Sequence, residues 1–143
     1  MKLSAFNYGA NAVSFIKNEK KYGMICAWAM QADYDKVLML LGAQSVTGKN
    51  ISKGDIIGVN ALNVNQQDVV EALGDGHSDT ADKFKNIKHT VKESAILIDD
   101  ASNRMIVEVI DVLHLEGIEQ DNLIYGLIKS FESSDTKKYS LSE

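Results

Sequence analysis

"KVLMLLGAQSVTGKNI" (Lys36–Ile51) is the stretch from which the fold can be read outward. Its apolar run, short and continuous over 36–43, reads as a buried strand. Ser45 then stands where a helix N-cap belongs, and Gly54 is placed to end that helix. A strand running into a capped helix start is an anion-binding turn, because the N–H groups of a first helical turn have no intrahelical acceptor. The nucleoside-triphosphate version of such a turn does not fit. It needs four residues between its first glycine and a Gly-Lys pair, followed by Ser or Thr. Here five residues separate Gly42 from Gly48, and Asn50 stands in the place of the hydroxyl. What remains suits a single phosphate monoester held without metal, with Ser45 at the cap and Thr47 and Lys49 reaching the anion. A plain Ser-capped surface helix is the competing reading.

On either side of this stretch the chain reads mainly as strands. "AVSFIKNEKKYGMICAWAM" (12–30) predicts a hairpin around an Asn18–Lys21 turn, and "IIGVNAL" (56–62) a further strand. "NQQDVVEALG" (65–74) predicts a helix capped by Asn65, with Val69, Val70 and Leu73 on one face. A polar loop over 75–80 follows. A second hairpin is expected over 95–116 around Asp99–Asn103, then a last strand over 123–132 and a loose tail over 133–143. On its long return arm, Met105, Val107 and Val109 share one face and Ile106, Ile110 and Val112 the other. Strands outnumber helices and do not alternate with them, so a single mainly β domain over 1–143, a barrel with a few short helices, is predicted.

Composition narrows the function. The 143 residues include 45% hydrophobic and 24% charged side chains, the balance of a globular chain able to bury a core unaided. A net charge of −5 argues against nucleic acid and anionic membrane as partners. "VLMLLGA" is too short to span a bilayer, and the first fifteen residues lack the apolar core of a signal peptide. The lone Cys26 can form no internal disulfide, which predicts a reducing, cytoplasmic setting.

No side-chain set for catalysis stands out. His77, His89 and His114 are too far apart for a local metal motif. His114, between two leucines, is expected to be a partly buried structural residue, and His77 in the 75–80 loop is the one histidine kept as a functional candidate. Asp75, Asp79 and Asp82 are expected to be solvated, Asp99 and Asp100 to turn the chain, and Cys26 to be a buried, inert thiol. Any chemistry must come from a cofactor or substrate.

The order of elements supplies the cofactor. Met24 with Ala27–Trp28, then Ser45 and Thr47 with Ile51, then Val59–Asn60, then Asp82–Lys83–Phe84 resemble, in order and spacing over roughly residues 10–132, the flavin reductase-like family with its FMN-binding split-barrel fold. The resemblance implies that a flavin ring lies against Cys26, Ala27, Trp28, Ala29 and Met30. It implies a phosphate at the helix start, Gln44 to Lys49, with Asn60 closing the pocket and Lys83 in the Asp-Lys-Phe signature. It implies FMN rather than FAD as cofactor, NAD(P)H as a reductant, and a homodimer with flavin near the interface. Two departures stand out. "DYDK" occupies a turn where many members have proline, and "QDN" (120–122) keeps Asp121 but has Asn122 where reductases carry a histidine implicated in handling nicotinamide. An FMN-dependent oxidoreductase and a flavin-binding electron-transfer or sensor module are therefore both carried forward.

Overall fold

The computed structural model describes residues 6–74 and 82–141. Its first hairpin joins β1 (Asn11–Lys17) and β2 (Lys20–Cys26) through Asn18 and Glu19 alone, both at positive φ. Such a two-residue turn follows the natural twist of the paired strands, so Lys20 and Lys21, expected in the turn, already belong to β2. The second arm also stops sooner than expected. Cys26 ends β2, and β3 (Ala29–Asp33) turns away to pair with β4 (Lys36–Leu41). After α1 (Val46–Lys49) come β5 (Ile56–Ala61), α2 (Gln67–Gly74), β6 (His89–Lys92), β7 (Ala95–Ile98), β8 (Asn103–Leu113) and β9 (Asn122–Ser133).

All pairings are antiparallel, in the order β3-β4-β9-β8-β5-β1-β7-β6, with β2 on the other edge of β1. The path from β2 back to β4 rolls into a barrel that no ladder among the described residues closes. At this split the chain itself crosses, with Leu40 N–H donating to Trp28 O at 2.9 Å and Cys26 Sγ lying 3.7 Å from Leu40 O. The mainly β split barrel expected from the sequence is the fold observed.

Alternation along the strands makes two cores. Val13, Phe15, Val37, Met39, Leu41, Ile57, Val59, Val107 and Val109 fill the barrel. Ala10, Ala12, Leu62, Val69, Leu73, Phe84, Ile96 and Ile98 form a second cluster, which brings α2 against residues of β1 and β7.

Several sequence expectations are corrected. α1 is a single turn ended at Asn50, while Gly54, at φ 91°, belongs to the next turn. α2 begins at Gln67, and the turn before it is organised by Asn63, whose Oδ1 accepts from Asn65 N–H, so Asn65 is not its cap. The 95–116 hairpin does not form. β7 pairs with β6 and β1, and β8 with β5 and β9, because Asp99–Ser102 carries the chain across the barrel rather than back on itself. Register shifts over Ile106–Asp111 include an extra residue at Ile110, and a bulge of this kind exchanges inner and outer faces. Val112 therefore packs on the barrel core rather than sharing an outer face with Ile106 and Ile110. The tail is fastened through described residues. Ser140 bridges Gly9, Lys138 bridges Asn63, and Tyr139 N–H donates to Leu62 O. The 75–80 loop, with His77, Asp75 and Asp79, lies outside the described residues.

Candidate functional site

Three segments meet at the split. The end of β2 brings Met24 and Cys26, the crossing brings Ala27–Met30, and α1 packs against β2. Ser45 is the N-cap of α1. Its Oγ accepts from Gly48 N–H at 2.8 Å and lies 2.9 Å from Met24 Sδ. Ala43 N–H donates to Asp121 Oδ1 at 2.8 Å, and Asn122 Nδ2 donates to Gly48 O at 3.0 Å. The "QDN" stretch singled out in the sequence is thus a clamp that holds this turn onto β9.

The candidate residues separate into those the split brings together and those engaged elsewhere. Trp28, Ala29, Met30, Gln44 and Lys49 are exposed, and Ala27 and Ser45 half-buried, around the crossing and the turn. Thr47 is only 2% exposed, so its hydroxyl lies inside the chain instead of reaching an anion. Asn60 is 0% exposed, and its amide is fully engaged. Nδ2 donates to Ala12 O, Ser14 Oγ and Ile96 O, and Oδ1 accepts from Ile98 N–H. Register explains this placement. Ile57, Val59 and Ala61 take the inner face of β5, so Asn60 faces β1 and β7, where it ties three strands together. Lys83 Nζ donates to Leu73 O and Gly23 O, which places its charge at the C-terminal end of α2.

What could a flavin use here? β3 is the terminal strand of the sheet, so no strand among the described residues lies along its far edge. A free strand edge presents N–H and C=O groups that match the polar rim of an isoalloxazine. In the turn, Ala43, Ser45, Gly48 and Lys49 N–H are engaged within the chain. Among the described residues, Gln44 and Val46 N–H have no such partner, and Lys49, at the end of the same turn, is exposed. The donor set fits a phosphate, but one that meets the Asp121 carboxylate nearby.

Cys26 is buried at the crossing, and burial pushes its thiol from the ordinary 9.0 up to about 11, partly offset by the Trp28 backbone beside it. The thiol is neutral at physiological pH, as expected of an inert residue. The native state resists ionisation where the unfolded chain does not. Stability is therefore full below pH 9.0 and falls as pH rises through about 11. A shift of this size corresponds to about 2–3 kcal/mol. Cys26→Ala should flatten the loss of melting temperature across that range; an unchanged alkaline limb would contradict the assignment.

His114 lies just past β8 and is exposed, against expectation; its Nδ1 is 3.3 Å from Asp121 O. Among the described residues no three His, Cys, Asp or Glu side chains converge to hold a metal, and no helix is long and apolar enough to cross a membrane. Two cavities matter. One of about 610 Å³ is polar and lined by Asn63, Gln66, Asp99 and Asp100, away from every candidate residue. Its amides are engaged, Gln66 Nε2 with Asp99 O and Asn63 Nδ2 with Asp100 O. The other, about 460 Å³, is more apolar and has Ala29 and Met30 in its wall. It also includes Asn103 and Tyr34, which the sequence reading passed over. An asparagine in register with the inward-facing Met105 was the available signal for the first.

Residues 3–140 match the family model described as flavin reductase like domain. The fold is similar to the NADH:FAD oxidoreductase of Streptomyces globisporus C-1027, with a TM-score of 0.84 and 15% identity over 96% of this chain and 84% of that one. It is similar to an FMN-binding protein from Thermus thermophilus with bound p-hydroxybenzaldehyde (TM-score 0.78, 16% identity, 92% of this chain and 74% of that one). A flavoredoxin from Methanosarcina acetivorans gives 0.78 at 13% identity, over 94% of this chain and 74% of that one. No curated protein sequence matches the chain.

Proposed function

Since the chain belongs to the flavin reductase-like domain family, we propose that it binds a flavin at the split and passes electrons from a reduced nicotinamide through it to free flavin or another acceptor. The observation that carries this reading is a free strand edge, from Ala29 on, beside β4, together with the partly open N–H turn, at Gln44–Lys49, into which β4 runs. A bound flavin would supply the hydride chemistry. The chain positions and shields it. Backbone groups of Ala27–Met30 orient the ring, and Cys26 forms a neutral floor. Gln44 and Val46 N–H with Lys49 hold the phosphate. FMN is the proposed cofactor, in a homodimer in a reducing compartment, where Cys26 stays a thiol.

Asn122 favours a second reading. Its amide is engaged with Gly48 O, so nothing at this position offers the imidazole that nicotinamide-using relatives are expected to place there. In this reading the chain is a flavin-binding electron-transfer or sensor module.

Titrating the purified chain with FMN and then adding NADH without oxygen separates these. Quenched flavin fluorescence followed by bleaching by NADH supports the reductase. Quenching with bleaching by dithionite alone selects the module. Fluorescence of FMN and FAD left unchanged would overturn both.

A further inference from the structure

The segment that follows β9 brings a cation to the wall of the more apolar cavity. Val64 N–H donates to Lys137 O at 3.0 Å, Tyr139 N–H donates to Leu62 O at 2.8 Å, and Ser140 bridges Gly9. Successive side chains of an extended segment take opposite faces. Tyr139 packs on the cluster that holds α2, and its hydroxyl bonds to Gln67 Oε1. Lys138 takes the other face, in the wall of the cavity of about 460 Å³. The segment thus holds the backbone of this lysine in place before any ligand arrives.

The rest of the wall is largely apolar. Val37, Met39 and Val59 are buried residues of the barrel core, so the cavity reaches into the barrel, and Met30, Met105 and Ile128 stand with them. Its volume lies within the range of about 300–1,000 Å³ typical of small-molecule sites, which pair an apolar wall with a few placed polar groups. Lys138 is the one charged residue in the wall, and it makes no ion pair among the described residues.

This chemistry narrows the occupant. One compact ammonium balances one negative charge, whereas a phosphate dianion would carry uncompensated charge into an apolar surround. Three methionines make a soft, polarisable wall that suits an aromatic ring, and Phe131, 56% exposed, adds a ring of its own. We propose that the cavity is a binding site for a small aromatic monocarboxylate, with its ring among Met30, Met39 and Met105 and its carboxylate on Lys138 Nζ. The site shares Ala29 and Met30 with the place proposed for the flavin ring. Its cation and its buried wall belong to other segments, and its ligand binds whether or not flavin is present.

Calorimetric titration of the flavin-free full chain with 2-naphthoate, and with its neutral counterpart 2-naphthamide, tests this. The carboxylate should bind about tenfold more tightly than the amide. Lys138→Gln should abolish that preference, weakening naphthoate about tenfold and leaving naphthamide unchanged, and added salt should narrow it in the wild type. Phe131→Ala should weaken both probes alike. Both side chains are exposed, so both variants should melt like wild type. No binding of either probe at millimolar concentration overturns the proposal, and so does naphthoate binding indifferent to Lys138→Gln. Repeating the titration with saturating FMN separates the two sites. Naphthoate that binds the FMN-loaded chain supports a site of its own, while strict competition would put the flavin ring in the cavity and overturn it. A chain that takes naphthoate but no flavin would overturn the cofactor reading and leave this one standing.

Discussion

Leucine in place of Asn60 is expected to lower the unfolding free energy by about 3–4 kcal/mol, a large share of a typical domain's stability. The side chains are similar in size, so packing changes little. What changes is that Ile98 N–H loses its acceptor and Ala12 O, Ser14 Oγ and Ile96 O lose a shared donor, all inside the fold. The amide does the work of a missing ladder. β5 pairs with β1 over Asn11–Ser14 only, and beyond that point β7 takes the edge of β1. Asn60 ties the three strands where backbone pairing changes hands. Thermal melts compare the variants, and flavin titration well below the melting point separates roles. A variant that melts like wild type but has lost flavin would return Asn60 to the cofactor pocket.

Gly58→Ala is expected to be at least as damaging, by several kcal/mol. A Cβ there would collide with the carbonyl of Ile96 and come within 3.0 Å of Ser14 O. Both obstacles are backbone, on β7 and β1, so neither can rotate aside. β7 would have to lift off, and the Asn60 bonds would go with it. Gly74→Ala, at the end of α2, should act in the opposite direction. Nothing among the described residues lies within 4 Å of the added methyl, and the helix gains about 0.5–1 kcal/mol from the loss of glycine's freedom. Melting temperatures of the two variants should move apart; equal shifts would mean that the close approach of β7 is misplaced.

Local pattern carried the sequence reading as far as local physics decides the outcome. The capped turn after β4 was legible because Ser45 and the apolar run before it follow a rule that acts within a few residues. The same rule could not say that Thr47 is buried, since that depends on how α1 packs over a split formed by strands far away. The burial of Asn60 was not legible for a related reason. "VN" in a strand shows that the two residues face opposite ways, and only the arrival of β7 shows which way is occupied. The 95–116 hairpin failed where two strands joined by a plausible turn had other partners: Asp99–Ser102 looks like a hairpin loop, yet β5 and β9 claim β8. The extra residue at Ile110 left no mark in the apolar pattern, so Val112 was assigned to the wrong face. Family resemblance supplied what periodicity could not, the split of the barrel and the expectation of a flavin.

The place of β9 between β4 and β8 has a consequence for synthesis on the ribosome. β4 emerges early, with Val37, Met39 and Leu41 on one face, and can pair at once only with β3. Its other neighbour, β9, is the last of the described strands to be made. Throughout elongation the nascent chain therefore carries an open, apolar strand edge, of the kind that recruits chaperones or other chains. A stall just before Asn122 would leave a product with most of its hairpins but no barrel. Such a product should be bound by chaperones or cleared by proteases, whereas a stall a few residues after Ser133 should leave β9 complete and the barrel able to close.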